Sequence, residues 1–297
     1  MSKPQQNRLK ILTAKEVDAA QKELIIIYGR AGIGKTRLAL SIPEEWGKIA
    51  YYAADNGSEF LASIDRKKRD RVVVVKPEGP DPTACFMQFA KMDWREIDPE
   101  IGVVMVDTYT KVVQDSIRYS ANSGAMTNEP HAIIGVPGDG GQAIPNRGDY
   151  LALESLSKGF LDMVFDKQSD MHVVFLCHED VKIVEEVAAV GGPSHPGRSM
   201  TEYLPAQFST VIRLIREQTL IPGEDFARNV VIAITENDGK FIAKTRTSDE
   251  DAPNPIARVV LDQNPSSYWK QYLAAGDPDS PKDTVVKKKK LTIKAGA

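Results

Sequence analysis

Leu24-Ile25-Ile26-Ile27-Tyr28-Gly29-Arg30-Ala31-Gly32-Ile33-Gly34-Lys35-Thr36 is the stretch from which the architecture is read. Its first five residues are a continuous apolar run closed by glycine, the pattern of a strand buried on both faces of a parallel sheet. The next eight, Gly29 to Thr36, fit G-x-x-x-x-G-K-[ST] in full. Glycines there allow backbone N–H groups to turn inward onto phosphate oxygens. Lys35 supplies a positive charge for the β- and γ-phosphates, and the Thr36 hydroxyl is a ligand for Mg²⁺. The residues after Lys35 have helical character, limited by Pro43, so a helix N-terminus faces the same anion. Gly29, Arg30, Ala31, Gly32, Ile33, Gly34, Lys35, Thr36 and Arg37, the last just inside the helix, form the expected nucleotide-binding set.

Outward from this stretch, further strands are expected at Ile49 to Ala53, Val72 to Val75, Val103 to Val106 and His172 to Cys177. Helical stretches fall around Gly57 to Ile64, Thr83 to Met92 and Asp149 to Asp166, with a short one at Ala14 to Lys22. Strands alternating with helices predict an α/β fold with a mostly parallel twisted sheet flanked by helices. The last third reads differently. Lys182 to Val187, Val211 to Ile215, Val230 to Thr235 and Phe241 to Thr245 follow one another with little helix between them, and Asn237-Asp238-Gly239 is strong hairpin chemistry. The sheet is therefore expected to end in antiparallel strands.

Two stretches read as long loops. Residues 120–148 hold six glycines and three prolines, and residues 188–205 hold Gly191-Gly192-Pro193 and His195-Pro196-Gly197-Arg198. Loops of that length in a compact domain are usually functional. The expected organisation is a lead-in at 1–22, an ATPase core at 23–265 and a flexible tail at 266–297, which is Pro/Asp-rich after about Ala275 and then basic at Lys287 to Lys290. The chain has 297 residues, 42% hydrophobic and 27% charged, with net charge −3, so a soluble globular protein is expected. That balance does not mark a nucleic-acid binder, and any such contact must come from local basic patches. The two cysteines, Cys85 and Cys177, have no metal-ligand spacing and suit a reducing compartment. The apolar runs are too short to span a bilayer, and the polar N-terminus has no signal core, so a cytoplasmic protein is expected.

The partner of the phosphate loop is Ile101-Gly102-Val103-Val104-Met105-Val106-Asp107, an apolar strand ending in a carboxylate about 70 residues beyond Thr36. A carboxylate at the carboxyl end of such a strand suits the Mg²⁺ side of the site. The strand at Ile49 to Ala53 leads into Asp55 and Glu59, with Asp55 the first choice to polarise the attacking water and Glu59 the second. Asp55-Asn56-Gly57 is also good turn chemistry. His178, at the end of another buried strand, is a candidate γ-phosphate sensor. A metal role for His178, Glu179 and Asp180 is disfavoured, since adjacent strand residues point to opposite faces.

With these residues in place, roughly residues 10–265 resemble the RecA-type recombinase core. They resemble more closely the phage-encoded RecA-core recombinases associated with single-strand annealing, the Sak type. The marks are Tyr28 to Thr36, Val104 to Thr108, Val174 to Glu179, Leu204-Pro205-Ala206-Gln207-Phe208 and Lys244-Thr245-Arg246. The resemblance implies a RecA-like P-loop NTPase core with ATP and Mg²⁺ as cofactors. It also implies slow, DNA-stimulated ATP hydrolysis, single-stranded DNA as partner, and a homo-oligomeric ring or filament in the cytoplasm of a phage-infected bacterium. It makes Asp55 the water-polarising residue, one methylene shorter than the family's usual glutamate, which points to ATP used more as a clamp than as fast fuel. It makes Lys244 and Arg246 a basic pair reaching the neighbouring subunit's γ-phosphate. The two glycine-rich stretches become DNA-binding loops. Lys111, Arg118, Tyr119 and Arg147 belong to the first, and Lys182, His195, Arg198 and Tyr203 to the second, offering cations to phosphates and rings to bases. A single-strand-binding protein is a further expected partner. A helicase loader or motor, and a small-molecule kinase, are the competing readings of the same phosphate loop.

Overall fold

The computed structural model describes residues 22–55, 61, 66–123, 133–134, 142–167, 170–184, 188–197, 199–220, 226–245, 254, 256–261 and 265–276. In chain order the elements are β1 (Leu24–Gly29), α1 (Lys35–Ala39), β2 (Lys48–Ala53), α2 (Arg66–Arg69), β3 (Val72–Val75), α3 (Pro82–Lys91), α4 (Trp94–Ile97) and β4 (Ile101–Asp107). Then come α5 (Tyr109–Ser123), β5 (Ile133–Ile134), β6 (Gln142–Ala143), α6 (Arg147–Lys167), β7 (His172–Val184), β8 (Ala188–Pro193) and α7 (Met200–Gln207). The chain ends in β9 (Thr210–Thr219), β10 (Arg228–Ile234), β11 (Arg258–Leu261) and α8 (Ser266–Gly276).

The main sheet runs β11-β10-β9-β1-β7-β4-β2-β3, with β8 attached to β7. The six strands from β9 to β3 are parallel to their neighbours, while β10 and β11 run antiparallel. This is the mostly parallel α/β fold with antiparallel strands at the C-terminal end that the hydrophobic pattern predicts. Apolar residues on both faces of the central strands explain it, because each face is covered. Ile26, Tyr28, Val104, Val106, Phe175 and Cys177 pack under α3, α5, α6 and α7. Ile25, Ile27, Val103, Met105 and Leu176 pack under α1 and α8. The start of α3 is set locally: Asp81 accepts from the N–H groups of Thr83 (2.9 Å) and Ala84 (3.1 Å), with Pro82 at the first helical turn.

Four expectations need correction. First, residues 266–276 are not tail. They form α8, whose Tyr268, Trp269 and Tyr272 are buried against α1, and Trp269 Nε1 donates to the Leu38 carbonyl at 3.0 Å. Three aromatic rings offset the ordering entropy that a polar tail could not.

Second, the region after Asp107 opens as a 15-residue helix, α5, and not as a loop. Its buried positions, Tyr109, Thr110, Val112, Val113, Ser116, Ile117, Ser120 and Ala121, follow helical spacing. The serines within that stripe disguise it as polar. Third, residues 188–193 are strand β8 and residues 200–207 are helix α7, so the second stretch is largely ordered secondary structure. Fourth, Lys182–Val184 continue β7, and Phe241 to Thr245 make only isolated bridges, Gly191 with Phe241 and Val211 with Lys244. The expected helix at 57–64 lies outside the described residues except for Leu61, and that at 14–22 except for Lys22. Among the described residues no helix is long and apolar enough to cross a membrane.

Candidate functional site

The topology brings the carboxyl ends of β1, β7, β4 and β2 side by side. Register places Gly29 beside His178, Ala53 beside Asp107, and Asp107 beside Leu176. The chemistry-bearing residues therefore share one edge of the sheet, the edge where parallel α/β proteins hold ligands.

The loop after β1 is shaped by its glycines. Gly34 is left-handed (φ +103°) and immediately precedes α1. Gly29 lies so close to β9 that a Cβ would sit 2.6 Å from the Leu214 carbonyl oxygen. Lys35 is only 6% exposed and curls into the loop, donating from Nζ to the Gly29 and Arg30 carbonyls at 3.0 Å each. Burial pulls its pKa below the ordinary lysine value, opposed by Asp107 and, more weakly, by Cys177, Asp55 and Glu179. A cation desolvated this far, among carbonyls and carboxylates, is matched to an anion arriving at the loop. Helix α1 is shorter than expected, Lys35–Ala39.

Thr36 Oγ1 donates to Asp107 Oδ2 at 2.7 Å, so the two expected Mg²⁺-side residues are joined directly across 71 residues of sequence. Asp107 is 3% exposed. Burial raises its carboxyl pKa, and hydrogen bonds from Tyr51 and Thr36 act in the opposite sense. A hydroxyl and a carboxylate so placed beside a buried lysine make the donor set that a Mg²⁺–triphosphate requires. The residues present fit that group.

Asp55, half-buried at the end of β2, is within electrostatic reach of Lys35, Asp107 and His178. His178 donates its backbone N–H to Thr110 Oγ1 at 3.0 Å. Its imidazole is half-buried, and burial first, then Lys35, lower its pKa, with Asp55 opposing. Five of the expected residues, Lys35, Thr36, Asp55, Asp107 and His178, thus converge. Glu59, Arg198 and Arg246 lie outside the described residues. Among the described residues no group of three or more His, Cys, Asp and Glu side chains could hold a metal ion.

The expected DNA-contacting residues are spread out. Lys111 and Arg118 stand on α5 and not in a loop; Lys111 Nζ grips both Asp115 oxygens, at 2.5 and 2.6 Å. Arg147 opens α6 and Lys182 lies in β7 opposite Val190. His195 is 1% exposed, its Nε2 3.0 Å from Ser157 Oγ and its Nδ1 accepting from the Gly197 N–H at 2.9 Å. Such a ring serves packing and not a DNA surface. Lys244 pairs its backbone with Val211 and donates from Nζ to the Ala206 carbonyl at 3.3 Å.

Two residues at this edge, Tyr51 and Arg213, escape a sequence reading. Tyr51 OH donates to Asp107 Oδ2 at 2.7 Å. Arg213 Nε meets Glu179 Oε2 at 2.7 Å, and its guanidinium carbon sits 3.1 Å from the Phe241 ring centroid. Glu179 also lies 3.9 Å from Arg30 Nε. The available signal was the opposite charges within β7 and β9, which only the sheet order reveals to flank β1.

A phosphate loop after a central parallel strand, a buried lysine, and a threonine joined to a strand-end aspartate define a P-loop nucleotide-binding protein. The AAA domain family matches residues 21–247, and the chain belongs to that family of P-loop ATPases. No curated protein matches it.

Proposed function

We propose that this chain is an ATP-dependent, single-stranded-DNA-binding recombinase that works as an oligomer and promotes annealing or strand pairing. The observation that carries the reading is the course of β7. Residues 173–178 of this strand pair with β1, and 172–176 with β4. From Glu179 to Val184 the same strand runs on past β1 and β4 and, among the described residues, pairs only with β8. A single strand thus joins His178, beside Lys35, to an arm that carries Lys182. Contact of His178 with a γ-phosphate would bias that arm directly, as two-state loops are biased elsewhere.

In this reading Lys35 would hold the β/γ-phosphates, Thr36 and Asp107 would hold Mg²⁺, and Asp55 would orient the water. When bound there, Mg²⁺ would supply charge neutralisation at the phosphates. Lys244 lies at the level of Val211, which is in register with Ile26, three residues short of Gly29. That offset is on the order of 10 Å along the strand. It supports a role for Lys244, with Arg246, at a neighbouring subunit's site and not its own. The three-way arrangement of Arg30, Glu179 and Arg213 links the phosphate loop to the segment that carries Lys244.

The test is anisotropy of a labelled single-stranded oligonucleotide with Mg²⁺ and a non-hydrolysable ATP analogue, with ADP, or with no nucleotide, alongside hydrolysis with and without DNA. Binding that strengthens with the analogue, and hydrolysis that rises with DNA, are expected. Equal binding in all three states with no DNA stimulation would overturn the reading.

A further inference from the structure

Tyr51 is buried in the middle of β2, and its ring is fixed by the same apolar cluster as Ile27, Met105 and Leu176. It is in register with Met105, one same-face step before the Ala53–Asp107 pair. That step is about 7 Å along the strand, a gap that a tyrosine ring with its hydroxyl can span and a shorter polar side chain cannot. The phenol arrives at Asp107 Oδ2 at 2.7 Å, the same oxygen that takes the Thr36 hydroxyl at 2.7 Å. Neither donor uses Oδ1.

We propose that Tyr51 is a positioning residue for the divalent cation: it locks the Asp107 carboxylate in one rotation, so that the Thr36 proton stays committed to Oδ2 and the Thr36 oxygen keeps its lone pairs for the metal. The inference rests on the Mg–nucleotide reading of the site. An aspartate on a short stem turns readily about its last torsion. Two donors from two different elements, one on β2 and one on α1, remove that freedom. Partners of this kind hold metal ligands in place although they never touch the metal, and their loss typically lowers metal affinity by about 10- to 100-fold.

The experiment measures binding of a fluorescent, non-hydrolysable ATP analogue to the full chain, with Mg²⁺ and with EDTA, for wild type and Tyr51→Phe. Wild type should bind more tightly with Mg²⁺. In Tyr51→Phe that Mg²⁺-dependent gain should fall by roughly tenfold or more, while affinity in EDTA stays at the wild-type value. A purely structural role would weaken both arms alike and overturn the proposal, as would an undiminished Mg²⁺ gain. A second variant removes dependence on one mutant. Asp107→Asn should lose the gain by itself, and adding Tyr51→Phe to it should change nothing further, because both changes act through one carboxylate. A further loss in the double variant also counts against Tyr51 acting through Asp107. Absence of nucleotide binding by wild type in either arm would instead sink the ATP-site reading itself.

Discussion

Two glycine-rich regions of this molecule use glycine for opposite reasons. In the phosphate loop, Gly32 and Gly34 have positive φ (+69° and +103°), and a Cβ at either would meet nothing within 4 Å. At those two positions the backbone conformation is what requires glycine and the space stays open, whereas Gly29, where the loop leaves β1, is also closed in by Leu214. In the stretch 188–197, Gly191 is a strand residue whose Cβ would fall 2.0 Å from the Phe241 ring, and Gly197, in the bend after β8, would place a Cβ 2.3 Å from Glu154 Cγ. There the backbone is ordered and glycine marks close packing. Glycine content therefore separates a loop from a tightly packed arm only when its neighbours are known.

The largest expected effect separates the two regions by function. Lys35→Ala should lower ATP hydrolysis by about 10²- to 10³-fold, the usual loss when one donor to developing phosphate charge is removed. Thermal stability should change much less, because the desolvation relieved by removing a buried cation offsets the two loop hydrogen bonds that it donates. A large fall in melting temperature would show that the loop is part of the packing.

The next effect has the reverse signature. Gly191→Ala should destabilise the fold by about 1–3 kcal/mol through overpacking against Phe241. Phe241→Leu added to it should recover part of that loss, as read by chemical denaturation. If Gly191→Ala is neutral, the 188–193 arm is looser than the contact with Phe241 implies.

The smallest effect compares two cations. Lys111→Ala should leave the salt dependence of single-stranded DNA binding unchanged, since its ammonium is held by Asp115. Lys182→Ala on the arm should reduce the slope by about 0.7, one phosphate contact on a single strand. Equal changes would mean that α5 and the arm both contact the strand.

Much of the site was legible because its signals are local. The phosphate loop needs eight consecutive residues with fixed conformations, and the aspartate strand needs an apolar run with a carboxylate at its end. The α5 helix was less legible, because Ser116 and Ser120 sit on its buried face and break the apolar stripe. Helix α8 was missed for a different reason. Its apolar side, Tyr268, Trp269 and Tyr272, looks unremarkable until α1 and Trp46 are placed beneath it.

The sequence by itself determined the nucleotide loop, the strand that ends in Asp107 and the alternation of strands and helices, because short-range conformation and hydrophobic period specify them. Only the tertiary structure decided that Tyr51 and Thr36 share one oxygen of Asp107, and that Glu179 and Arg213 close over β1. It likewise decided that β7 runs on past His178 as an arm. Those facts depend on sheet order and register, which bring together residues tens to hundreds of positions apart and which no local pattern encodes.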